Sequence, residues 1–155
     1  TAGGKNVAPA NIENALKATQ YVSQALAFGD RKPFITALVT LDPDELRTFC
    51  EANGLPTDPY EAIARPEVLE LVRLAMEHVN AGLGRVEQVK RWRVLPVDFT
   101  TDTGELTPSL KLKRKVVVER YGSWIDEMYE ADAKDADAIT DPRIASLQDT
   151  PKVTS

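Results

Sequence analysis

The sequence predicts an α/β (α+β) fold: a small mixed β-sheet with an antiparallel hairpin, covered by helices. Two strand-like runs, residues 24–28 and 34–41, flank the short connection Gly29-Asp30-Arg31-Lys32-Pro33, which suits a hairpin. The second run is apolar on both alternating faces, with Phe34 and Leu38 pointing one way and Ile35, Ala37, Val39 and Leu41 the other. A strand of that kind is covered on both sides. Segments with helical apolar spacing surround it, so the layers are helix, sheet and helix.

In chain order, the opening TAGGKNVAP is a glycine-containing loop that feeds a helix. Pro9 occupies its first turn, and Ile12 and Leu16, four apart, form its inner face. A start on such a loop, without a preceding element to support it, reads as a fragment of a longer protein. After the hairpin, Asp42-Pro43-Asp44-Glu45 supplies a cap, a first-turn proline and a first-turn glutamate, and Gly54 supplies the stop. Leu46, Phe49 and Cys50 face inward there. A second cap-and-proline start near Pro66 opens a longer helix with Leu69, Val72, Met76 and Val79 inside, ending around Gly82-Leu83-Gly84. A strand over residues 90–95 follows. From a turn at Asp102-Thr103-Gly104 the chain passes through a basic segment into a helix ending near Tyr129, with Val117, Tyr121, Trp124 and Met128 on one face. Residues 131–155 contain five Asp and two Pro and few large apolar residues, and read as an acidic, flexible tail. The predicted organisation is one domain over residues 1–130 followed by that tail.

At 155 residues, with 43% hydrophobic and 28% charged content, one globular core is expected. The net charge of -5 argues against nucleic acid as a partner, although Lys111, Lys113, Arg114 and Lys115 are locally basic. Cys50 is the only cysteine and forms no internal disulfide; no leader or bilayer-length apolar run is visible, so a reducing, cytoplasmic location is expected. Repeats and heptads are absent, which removes solenoids and coiled coils.

Lys111 is placed where a loop meets a helix start, a position from which an ammonium reaches a bound anion. At about 4 Å from a unit negative charge it gains about 4 kcal/mol at an effective dielectric of about 20. A solvated basic helix start explains the same residues. Gly3-Gly4-Lys5 lacks the spacing of a phosphate-wrapping P-loop and reads more readily as a plain turn before a helix. His78 stands alone in a helix, and neither a metal-ligand set nor a nucleophile triad can be assembled.

Taken together, TAGGKNVAPANIE (residues 1–13) and GELTPSLKLKR (residues 104–114) resemble the two motifs of the C-terminal lid domain of adenylate-forming acyl-CoA synthetases, in the same order and at a matching separation. The form LTPSLKLKR resembles the long-chain branch in particular. The resemblance implies a lid that works with an N-terminal adenylation domain on fatty acid, ATP with Mg2+, and coenzyme A, none held tightly by this piece alone. It implies Lys111 as the catalytic lysine that reaches the fatty-acid carboxylate and the nucleotide, with Lys113 the fallback. Gly3, Gly4, Lys5 and Asn6 would line the pantetheine path of CoA. Leu110 departs from the wider pattern, since shorter-chain relatives usually carry glycine before the lysine, and a different local backbone is expected there. The resemblance also implies an intact enzyme peripheral to a membrane, and no activity for the isolated piece. The alternatives are the lid of a fatty-acyl-AMP ligase, a stand-alone CoA- or anion-binding module, and an RNA- or anionic-lipid-binding domain, the last disfavoured by net acidity.

Overall fold

The computed structural model describes residues 8–130 and, for backbone pairing only, residues 136–138. The helix α1 (Pro9–Lys17) leads into β1 (Val22–Phe28), which pairs antiparallel with β2 (Ile35–Leu41), so the predicted hairpin forms. Three helices, α2 (Pro43–Ala52), α3 (Pro59–Ala62) and α4 (Pro66–Ala81), carry the chain across to β3 (Val89–Val94), parallel to β2. After a long loop comes α5 (Arg114–Glu127), and then β4 (Ala136–Ala138) adds in parallel to β3. The sheet order is β1-β2-β3-β4. Thus a paired strand occupies part of the segment read from sequence as a tail; the rest of residues 131–155 lies outside the described residues.

Each strand of the hairpin divides its side chains between two cores. Ile35, Ala37, Val39 and Leu41 join α1, α2 and α4, whereas Leu38 and Leu26 face Val117, Tyr121, Trp124 and Ile125 of α5. The polar residues beside Leu38 are satisfied on that second face. Thr40 donates to Asp98 at 2.6 Å, and the Thr36 hydroxyl lies 3.2 Å from that of Tyr129. Burying the strand on both sides therefore leaves no hydroxyl orphaned there.

The helix ends obey local chemistry. The Asp42 carboxylate accepts from the backbone N–H groups of Asp44 and Glu45 at 2.9 and 3.0 Å, capping α2 as expected. At its other end Gly54 takes φ +64° while the Leu55 N–H reaches back to the Cys50 carbonyl at 2.9 Å, a glycine-terminated helix stop. Cys50 itself is fully buried, and burial pushes its thiol pKa up. Three details differ from expectation. Arg65, at the start of α4, makes no side-chain cap, and the turn of helix α3 precedes it. Val68, and not Leu69, is fully buried on α4. α5 is kinked at Tyr121, whose φ of -112° and ψ of 15° leave the helical region.

Candidate functional site

The predicted lysine sits on a hairpin, and not at the helix start. Pro108 fixes the second position of a turn in which the Leu110 N–H donates to the Thr107 carbonyl at 2.8 Å. The Thr107 N–H donates to the Lys111 carbonyl at 2.8 Å, and the Lys111 N–H donates to the Thr107 hydroxyl at 3.0 Å. Leu106 and Leu112 bridge antiparallel, and the Lys113 N–H donates to the Glu105 carbonyl at 2.7 Å. This is a three-residue hairpin loop with a left-handed residue closing it, and that residue is Leu110 at φ +64°. Helix α5 begins only at Arg114, after Lys113, so the helix dipole acts at Lys113 and Arg114 rather than at Lys111.

Leucine therefore adopts the backbone that glycine takes freely, at a cost of about 1–2 kcal/mol. The turn survives without glycine because the hydrogen bonds on both sides of it hold the loop closed.

Lys111 is exposed, and among the described residues its ammonium has no ion-pair partner. Lys113 is half-buried. Beneath the hairpin the loop is anchored by Glu105, which is 2% exposed: its carboxylate takes the Arg120 guanidinium and the Thr103 hydroxyl, and Arg120 also donates to the Thr103 carbonyl at 2.7 Å. Tyr121 packs against Phe99 close by, its phenol pKa pushed up by burial first and by the Glu105 carboxylate second. The base of the hairpin is thus packed and polar-satisfied, while its tip carries an exposed cation.

A long-range contact unforeseen from sequence ties this loop to the first helix. Glu13 on α1 is 7% exposed, and Arg114 Nη2 bridges its two carboxylate oxygens at 2.7 and 2.8 Å. The Ala27 N–H donates to the same carboxylate at 2.7 Å, and Arg114 Nη1 donates to the Ala27 carbonyl at 3.2 Å. One ion pair, seated on the first strand, therefore joins the ends of the two motifs quoted from the sequence. The partners stand 101 residues apart, so no local pattern could reveal them.

Gly3, Gly4, Lys5 and Asn6 lie outside the described residues, and the structure gives no position for the proposed pantetheine path. His78 is a solvent-exposed residue on α4, at the rim of a shallow groove between α1 and α4 lined by Ala15, Tyr21, Leu71 and Leu74. None of the groove's residues belongs to the Lys111 hairpin. Among the described residues no cluster of carboxylates, histidines and cysteines could hold a metal ion, and no helix is long and apolar enough to cross a membrane.

Comparison with known proteins adds to this geometry. A family described as the AMP-binding enzyme C-terminal domain matches residues 1–133. A long-chain-fatty-acid–CoA ligase of Mycobacterium tuberculosis is 43% identical over 131 residues, covering 83% of this chain and 22% of the ligase. A long-chain-fatty-acid–CoA ligase of Gallus gallus is 36% identical over 152 residues, covering 86% and 20%. The chain thus spans about a fifth of the length of these curated relatives. Among solved structures, the adenylation domain of a Mycobacterium chelonae carboxylate reductase superposes with a TM-score of 0.64 at 24% identity, over 83% of this chain and 19% of that one. The corresponding domain from Segniliparus rugosus, solved with AMP and a co-purified carboxylic acid, gives 0.64 at 22% identity, over 81% and 18%. At these identities the structural likeness establishes the fold.

Proposed function

The chain belongs to the AMP-binding enzyme C-terminal domain family, and from that premise we propose that it is the lid of a long-chain fatty acid:CoA ligase. The ligase activates a fatty acid with ATP to an acyl-adenylate and then passes the acyl group to coenzyme A. The relatives named above support the substrate class. The observation that carries the site assignment is the hairpin of Lys111: an ammonium without an ion-pair partner among the described residues, at the exposed tip of a loop whose base is hydrogen-bonded and packed.

A cation held this way suits the adenylation step. The carboxylate and the phosphate both bear negative charge as they approach, and a pre-positioned ammonium stabilises that charge with little reorganisation. Lys111 is the catalytic residue in this proposal, and the N-terminal adenylation domain is the partner that supplies the nucleotide and acyl sites. Mg2+ enters with ATP. In the second step the glycine loop at Gly3, Gly4, Lys5 and Asn6 lines the approach of the CoA thiol, glycine allowing the backbone to come close. The enzyme is proposed to act in the cytoplasm, peripherally at the membrane where its substrates partition.

The test is pyrophosphate release from palmitate and ATP by the ligase containing this domain, with Lys111→Ala compared to Lys113→Ala. Lys111→Ala is expected to lose about 10²-fold or more, and Lys113→Ala to stay near the unaltered rate. Equal rates for Lys111→Ala and the unaltered enzyme would remove Lys111 from the site. Transfer to a carrier protein in place of CoA would assign the domain to a fatty-acyl-AMP ligase.

A further inference from the structure

Leu110 combines two costly features. Its side chain is 61% exposed, one of two large apolar side chains so exposed among the described residues, and its backbone is held at φ +64°, where leucine is strained. Neither feature helps this domain fold: the exposed isobutyl group contributes little burial, and glycine or asparagine would close the same turn with less strain. Strained residues of this kind gather at working surfaces.

The neighbouring residue says where that surface lies. Adjacent Cα atoms are about 3.8 Å apart, so a loop tip that carries Lys111 into a substrate site carries Leu110 with it. The tip cannot deliver the ammonium and leave the leucine in water.

Resting on the role proposed above for Lys111, we infer that Leu110 is an apolar anchor, buried against the adenylation domain only in the closure that serves acyl-adenylate formation. Leu110 and Lys111 are both exposed, and so are the tip's other residues, Pro108 and Ser109, which leaves room for docking. The anchor gives the adenylation closure a contact that the thioester step lacks.

The experiment uses the full ligase with Leu110→Gly, Leu110→Asn, Leu110→Met and Lys111→Ala. Acyl-adenylate formation is measured with octanoate and with palmitate, transfer to CoA is measured from supplied acyl-adenylate, and melting temperature is recorded for each variant. Glycine and asparagine keep the turn and remove the apolar group; methionine keeps an apolar group. Leu110→Gly and Leu110→Asn are expected to lose about tenfold or more in adenylation, the equivalent of one leucine left unburied, equally for both acids. Their transfer step and melting temperature should be undiminished, and Leu110→Met should stay close to the unaltered enzyme. Unaltered adenylation in the glycine and asparagine variants, or equal losses in both steps, would overturn the anchor. So would a loss confined to palmitate, which would place Leu110 on the acyl chain. If Lys111→Ala is also silent, the fault lies with the lysine assignment; if Lys111→Ala fails while Leu110→Asn works, only the anchor is lost.

Discussion

Removing Arg114 should destabilise the domain by an amount set by Glu13. The Glu13 carboxylate is 7% exposed and takes its two charged contacts from Arg114 and one hydrogen bond from the Ala27 N–H. Breaking a buried pair by removing one partner costs about 3–5 kcal/mol. The Arg114 side chain is 43% exposed, so water can reach the vacated side, and a value of about 2 kcal/mol is expected for Arg114→Ala. For a chain of this size that lowers the melting temperature by about 4–8 °C. Glu13→Ala should cost a similar amount, because the Ala27 N–H loses its acceptor. Once either partner is gone, removing the other should cost much less. A double-mutant cycle by urea denaturation should therefore give a coupling of about 1–2 kcal/mol. Additivity within about 0.5 kcal/mol would refute the idea that this pair ties the two motifs together.

Two further outcomes follow from the packing. Asn80 uses its amide to satisfy both the N–H and the carbonyl of Val89 at the start of β3, at 2.8 and 2.9 Å; Asn80→Ala should cost about 2 kcal/mol in urea denaturation. The phenols of Tyr121 and Tyr129 are both shifted upward from 10.0, chiefly by burial. A raised folded value means that the folded chain holds these protons more tightly, so stability is intact below pH 10 and falls as pH rises above it. The urea midpoint should drop as pH rises above 10, and Tyr129→Phe should flatten that drop.

The hairpin, the doubly covered β2 and the Asp42 cap were legible because each rests on local chemistry: alternation, turn residues and a side chain two or three residues from the N–H it caps. Gly54 was legible for the same reason, as a left-handed helix stop. The Lys111 loop was legible as a place and not as a shape. Asp102-Thr103-Gly104 signalled a turn, and leucine at the left-handed position of the following loop hid a hairpin that glycine would have announced. The role of Glu13 was not legible because its partners, Ala27 and Arg114, come from a strand and a distant helix. Val68 is the fully buried member of the Val68-Leu69 pair on α4, with Leu69 packed at the edge of the same core, because the choice between adjacent apolar residues depends on how the helix is rotated against the sheet. β4 carries the short, alternating Ala136-Asp137-Ala138, too little apolar material to stand out before its pairing with Trp92, Arg93 and Val94 is known.

The most direct measurement gives the Lys111→Ala ligase preformed palmitoyl-adenylate and follows palmitoyl-CoA in a single turnover, beside adenylate formation from palmitate and ATP. A lysine that serves only the first step leaves thioester formation near the unaltered rate while adenylation falls by about 10²-fold. Parallel loss in both steps, or no loss in either, would contradict the assignment of Lys111 to the adenylation step.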